Sequence, residues 1–198
     1  MSMPYGVLAC PSCGYEATTK GLWGLFVYRS DQGAEVHIER HLGWCHSCHG
    51  VAAIEALPDA GRIQAEQVEA KSRWEALIPT TGLQRLRGLF SGSARGLRRQ
   101  ALDALRRADL LAAVVMPGRS PCCLDCGSTD VEVIVLPNPE SRGQMQDQGL
   151  AFRHPGCPKP MRLRESGGTR FAMAPTKRVY DPQGRFIEHA DPRSRLVR

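Results

Sequence analysis

Four short motifs in this chain carry side chains able to grip a metal ion. They are Cys10-Pro-Ser-Cys13-Gly14, Cys45-His-Ser-Cys48-His-Gly50, Cys123-Leu-Asp-Cys126-Gly127 and His154-Pro-Gly-Cys157. Two thiolates three positions apart can hold one ion from a single tight turn. A glycine after the second cysteine allows the positive φ such a turn often needs. Clustered cysteines of this kind read as metal binding rather than as a disulfide framework. Read in chain order, Cys10, Cys13, Cys45 and Cys48 make one four-thiolate set around a hairpin. Cys123, Cys126, His154 and Cys157 make a second, with the histidine in the place of a missing cysteine. Both are closed tetrahedral sets, and they suit two zinc ions. Cys122 competes with Cys123. Its three-residue gap to Cys126 is less usual for a knuckle, so Cys122 reads as the spare thiol. Gly50 falls two residues after Cys48 instead of one, which predicts a distorted second knuckle.

The elements that position these motifs follow from pattern. After Cys13, the run Leu22–Arg29 is rich in aromatic and branched residues. Ser30-Asp31-Gln32-Gly33 is a turn signal, and Glu35–His41 alternates, so a hairpin is predicted here. Asp59 can cap a helix starting near Gly61, with Ile63, Gln67, Ala70, Trp74, Leu77 and Ile78 on one side and Pro79 as its stop. A shorter segment carries Leu83, Leu86, Leu89 and Phe90. A further helix is predicted over 94–115, with arginines mostly off its apolar stripe. Val131–Leu136 is a β-branched strand, and Val179–Ile187 is a tight hairpin around Asp181-Pro-Gln-Gly184. The expected fold class is therefore α+β: an N-terminal ribbon over 1–57, a helical region over 58–117 and a C-terminal ribbon with a basic hairpin tail over 118–198.

The quoted motifs resemble the zinc-ribbon superfamily, meaning rubredoxin-like folds and transcription-associated ribbons. The resemblance implies two small β-sheets, each pinned by one ion, and no single function. Rubredoxin itself would place iron in the first site. The acidic, aromatic-rich segment of rubredoxin is missing between Cys13 and Cys45, and a Cys₃His companion site favours zinc.

Composition sets further bounds. The chain has 198 residues, eight cysteines and a net charge of +6. The charge is uneven: residues 153–198 hold 11 Lys/Arg against 4 Asp/Glu, while residues 1–80 hold 6 against 9. Such asymmetry points to an acidic partner on the C-terminal side. Arg162, Arg164, Lys177, Arg178 and Arg185, interleaved with Phe152, Phe171, Tyr180 and Phe186, are the candidate nucleic-acid contacts, able to track phosphates and stack bases. At least two of those aromatics are expected to be core instead. The alternative is a protein–protein adaptor using an exposed Leu22–Phe26. No apolar run is long enough to span a bilayer, nothing at the N-terminus reads as a signal peptide, and abundant free thiols fit a reducing cytoplasm.

Enzyme readings fare worse. His37-Ile-Glu39 ahead of Cys45 is reminiscent of a zinc deaminase, but Trp44 stands where proline belongs and the spacing is too short. His37 and His41 read as solvent-facing sheet residues. There is no phosphate-binding loop, H-E-x-x-H or nucleophile elbow, and an unrecognised metalloenzyme is the remaining catalytic reading. The sequence is read as a non-catalytic binding module that contacts nucleic acid or a nucleoprotein machine.

Overall fold

In the computed structural model the described residues are 2–3, 6–79, 92–116, 118–136, 150–165, 171–172 and 176–190. The short segment expected around Leu83–Phe90 lies outside them. The strands are β1 (Ser2–Met3), β2 (Gly6–Ala9), β3 (Glu16–Thr18), β4 (Leu25–Arg29), β5 (Glu35–His37), β6 (Arg40–Cys45) and β7 (Gly50–Glu55). Among the described residues two α-helices follow, α1 (Ala60–Leu77) and α2 (Gly92–Val114). The chain then returns to strands: β8 (Val131–Val133), β9 (Arg162–Glu165), β10 (Phe171–Ala172), β11 (Lys177–Tyr180) and β12 (Phe186–Ala190). The fold is mixed α+β, with a helical region between β units.

Local chemistry explains the elements read from sequence. The Asp59 carboxylate accepts the Arg62 N–H at 2.7 Å and so caps α1. The helix stops at Leu77 because Ile78 precedes a proline and is driven into an extended conformation (φ −75°, ψ 122°). The β4–β5 turn closes with Gly33 N–H donating to the Ser30 carbonyl at 2.9 Å. In the β11–β12 turn, Asp181 Oδ1 accepts the N–H groups of Gln183 and Arg185, an Asx turn. The strand expected to continue from Glu35 to His41 is broken between β5 and β6. His37 and His41 are both exposed, on separate strands.

The sheets are built from both ends of the chain. One is ordered β12-β11-β4-β5, with β4 and β11 parallel. A second is β3-β2-β9, in which Ala9 faces Arg162 and Leu8 faces Leu163. A third is β7-β6-β8, with Cys45 opposite Val131. A fourth pairs β1 with β10, so among the described residues strands before residue 57 pair with strands after residue 118 in all four.

Two apolar clusters fuse these layers. Phe26, Tyr28, Ile38, Ala53, Leu110, Val114, Leu124 and Tyr180 join the mixed sheet to the end of α2 and to β7. Leu8, Leu42, Trp44, Ile134, Leu150, Phe152 and Met161 join the other two sheets. Phe152 and Tyr180, two of the interleaved aromatics, are thus core, and Phe186 is about half exposed. The Leu22–Phe26 stretch is not an exposed patch as expected. Phe26 has no solvent exposure. The Arg40 guanidinium lies over its ring at 4.3 Å and donates to the Leu22 and Gly24 carbonyls. Among the described residues no helix is long and apolar enough to cross a membrane.

Candidate metal centres

All eight predicted ligands converge, but in different partnerships from those expected. Cys10 and Cys13 meet His154 and Cys157, and Cys45 and Cys48 meet Cys123 and Cys126. In each cluster the ligand atoms lie within 4.8 Å of one another. The order along the chain is nested: the second cluster closes inside the loop that the first closes. The sequential pairing is overturned by strand pairing. β2 leads into Cys10 and lies beside β9, which follows Cys157. β6 ends in Cys45 and lies beside β8, which follows Cys126.

The knuckles share a local design. In the first, Cys10 N–H donates to the Tyr15 carbonyl at 2.8 Å and Gly14 N–H returns to the Cys10 carbonyl at 3.1 Å. In the third, Cys123 N–H donates to Ser128 at 2.8 Å and Gly127 N–H to Cys123 at 2.8 Å. Gly14 and Gly127 have φ of +76° and +77°, the left-handed region that a turn so closed requires. After Cys48 that conformation is taken by His49, at φ +52°, the one non-glycine with positive φ among the described residues. The second knuckle therefore keeps its geometry without the shifted Gly50. In the fourth, Cys157 N–H donates to the His154 carbonyl at 3.2 Å, with Gly156 at φ +82°.

The separations suit a shared cation. A tetrahedral ion with metal–sulfur bonds of about 2.3 Å sets its sulfurs about 3.8 Å apart. Cys45 and Cys126 sulfurs are 3.5 Å apart, and those of Cys48 and Cys123 are 3.9 Å apart. Disulfide bonding would need about 2.05 Å. Cys13 Sγ is 3.2 Å from His154 Nε2. His154 is aimed by packing: its ring lies 5.5 Å from Trp44 and 5.3 Å from Tyr15. Tyr15 is held in turn by the Val51 N–H donating to its hydroxyl.

The thiols share charge unequally. Burial, hydrogen bonding to Cys126 and Cys45, and the charge of Cys123 push Cys48 up. Cys123 rises to about 11, mainly from burial. At Cys126 burial is outweighed by the Ser128 N–H and the neighbouring thiols, and it falls. In the first cluster, burial and the other two thiols raise Cys157 to about 12. Cys10 falls to about 6, because the N–H groups of Cys13 and Ser12, with His154, outweigh burial. Each cluster thus has one thiol whose ionisation is eased and at least one whose proton a cation must displace.

Cys122 belongs to neither cluster. It is buried in a polar group that sequence reasoning missed. Glu55, at the end of β7, receives hydrogen bonds from the Tyr28 hydroxyl and from Arg119 Nη2, the latter at 2.5 Å. The Cys122 thiol lies 3.6 Å from the other carboxylate oxygen. Burial and the Glu55 charge raise this thiol to about 12. Glu55 N–H also donates to the Cys122 carbonyl at 2.9 Å. The group therefore fixes the chain leading into the third knuckle. An isolated glutamate at the end of an apolar strand was its only sequence signal.

The candidate nucleic-acid contacts separate into two groups. Lys177 is buried and paired to Glu35 at 2.6 Å, so it is not on a phosphate-facing surface as expected. Arg178 pairs with Asp125 and Arg185 with Asp181. Arg162 and Arg164 are exposed on the open face of β9, with only a 3.9 Å approach of Arg164 to Glu16. Arg153 and Lys159, which flank His154 and Cys157 in sequence, are exposed as well.

Compared with known proteins, the chain matches no family model, no curated protein and no solved structure.

Proposed function

We propose that the protein is a non-catalytic zinc-binding module of ribbon character that contacts nucleic acid or a nucleoprotein machine. Two closed four-ligand clusters support the first half. A Cys₄ and a Cys₃His set are structural zinc donor sets, and with all four positions taken no place is left for a substrate. Nested closure gives the ions a folding role, since each joins strands far apart in sequence.

The observation that carries the second half is the exposed basic rim at the first cluster, Arg153, Lys159, Arg162 and Arg164. The β3-β2-β9 sheet buries Leu8 on its other side, so the arginines stand on the solvent face. Cations held beside a rigid knuckle can track a phosphate backbone. Elemental analysis of protein purified without added metal is expected to give two zinc ions per chain. Binding to single- and double-stranded DNA and RNA at two salt concentrations tests the rim. Affinity should fall steeply with salt through counterion release. Arg162→Glu with Arg164→Glu should weaken all sequences alike, because phosphate contacts carry no base information. No binding at low salt, or binding indifferent to the reversals, removes the nucleic-acid reading.

A further inference from the structure

The cluster of Cys45, Cys48, Cys123 and Cys126 divides its sulfurs by access. Cys48 and Cys126, one from each knuckle, are exposed, while Cys45 and Cys123 have no solvent exposure. Each exposed sulfur lies against the buried sulfur of the opposite knuckle: Cys126 is 3.5 Å from Cys45, and Cys48 is 3.9 Å from Cys123. The two knuckles are also tied directly. His46 N–H donates to the Asp130 carbonyl at 3.0 Å, and the Ser47 hydroxyl to Ser128 Oγ at 2.8 Å. The pairing of Cys45 with Val131 carries that tie into β6 and β8. An exposed thiolate is open to small oxidants. Here it has a second thiol held behind it, out of solvent, on a distant stretch of chain.

We propose that this cluster is a thiol-oxidation site for hydroperoxides, in which Cys126 is the attacking sulfur and Cys45 closes the product as a disulfide between the two knuckles. The Cys126 thiolate attacks a peroxide oxygen. An S–O bond forms, the O–O bond breaks, and the departing oxygen takes a proton from solvent, leaving as an alcohol or, from hydrogen peroxide, as water. Cys126 is then a sulfenic acid, and the Cys45 thiolate attacks its sulfur. The S–S bond forms, the S–O bond breaks, and hydroxide leaves as water with a second solvent proton. The two sulfurs give up two electrons and the hydroperoxide accepts them. Only Cys48 and Cys123 then remain as donors, too few for a closed tetrahedral set. The disulfide takes over the link between β6 and the knuckle leading to β8, and a thiol reductant reverses it. At the first cluster the exposed Cys13 lies 3.2 Å from His154 Nε2. An imidazole cannot close such a bond, so oxidation is expected to be slower there.

The inference rests on the ligand set proposed above, so zinc content is measured first. Full-length, zinc-loaded protein is then treated with hydrogen peroxide beside a chromogenic chelator, and disulfides are mapped by peptide mass spectrometry after free thiols are blocked. One ion per chain should be released together with formation of a Cys45–Cys126 disulfide, and dithiothreitol with zinc should restore it. Release of the other ion should be slower by about tenfold or more. Cys126→His keeps a four-donor set without the attacking sulfur and should slow peroxide-driven release about tenfold or more. Cys48→His keeps the Cys126–Cys45 pair and should stay within about threefold of the wild type. If Cys126→His does not hold its ion, the disulfide map of the wild type decides alone. A bond within one knuckle, a bond confined to the first cluster, or sulfinic acid at Cys126 without a disulfide overturns the inference. So does equal slowing by the two variants. A protein that carries no ion yet forms the Cys45–Cys126 bond refutes the zinc reading and supports this one.

Discussion

The two metal clusters have nearly the same backbone and very different surroundings. The second has one half in the core and one half at the surface: Cys45 and Cys123 have no solvent exposure, backed by the β7-β6-β8 sheet and the Glu55 group, while Cys48 and Cys126 are exposed. Its near surroundings are Asp125, Asp130 and the Ser47–Ser128 hydrogen bond. The first is likewise half-buried, with Cys10 and His154 covered and Cys13 exposed; it is aimed by Trp44 and Tyr15 and flanked by the exposed Arg153, Lys159, Arg162 and Arg164. A divalent ion with four thiolates leaves a net −2, and with three thiolates and a neutral histidine it leaves −1. The less negative centre thus has the cations beside it, and the more negative one has Asp125 and Asp130 nearby in the chain. One knuckle design thus stands in two settings: the inner pair of knuckles joins strands of the β7-β6-β8 sheet, and the outer pair joins the β2–β9 strands beside exposed cations.

Removing ligands breaks this comparison most directly. Cys123→Ser should lose one ion and collapse cooperative unfolding, because β6, β7, β8 and the α2 exit all meet there. Cys13→Ser should also lose one ion while leaving a cooperative, lower-melting core, because it loosens only the β2–β9 edge. Metal content together with thermal unfolding of both variants separates the cases, and equal damage from the two would erase the distinction between core and edge.

The Glu55 group comes next. Arg119→Ala leaves a buried carboxylate without its cation and should cost about 3–5 kcal/mol in denaturant unfolding. It should speed transfer of the inner ion to a chelator more than that of the outer one, since the chain from Arg119 through Cys122 leads into the third knuckle. The same burial keeps the Cys122 thiol protonated at neutral pH. A maleimide should therefore miss it in the native, metal-loaded protein and label it once the chain unfolds, because the thiolate is the reactive form.

Acid distinguishes the clusters more gently. A thiol whose pKa is raised holds its proton until a cation displaces it, so affinity falls as pH falls, by up to about tenfold per such thiol per pH unit. At the inner cluster Cys48 and Cys123 are raised and Cys126 is lowered. At the outer one Cys157 is raised, while Cys10, at about 6, is already ionised at neutral pH. Apparent affinity, measured in chelator competition between pH 6 and 8, should decline more steeply at the inner site.

What the sequence made legible was whatever is local. Cys-x-x-Cys spacing names its own ligands, Asp59 its helix start, and Ser30–Gly33 and Asp181–Gly184 their turns, because each depends on residues within one turn of chain. Even His154, not a cysteine, was readable from its spacing to Cys157. Partnership was not local. Four knuckles can be joined in three ways, as four cysteines can, and the gap between Cys13 and Cys45 does not choose among them. The choice is made when Leu8 on β2 packs with Phe152 and Met161, far away in sequence. Lys177 misled for the same reason: its partner Glu35 lies 142 positions away, so a buried ion pair looked like a free basic residue.

The finest difference between the clusters lies in one backbone angle. Gly14 and Gly127 take the positive φ that follows a knuckle without cost, and His49 takes it with a side chain. The left-handed region costs an L-residue about 1–2 kcal/mol, least for short polar side chains and histidine and most for β-branched ones. His49→Gly relieves that strain but adds freedom to the unfolded chain. Stability should therefore rise or stay within about 1 kcal/mol. His49→Val cannot relax into the turn and should lose about 1–2 kcal/mol, with faster transfer of the inner ion to a chelator. Gly14→Val should do the same to the outer ion alone. If His49→Val instead leaves stability and both transfer rates unchanged, the second knuckle does not depend on this conformation, and the likeness of the turns ends at their hydrogen bonds.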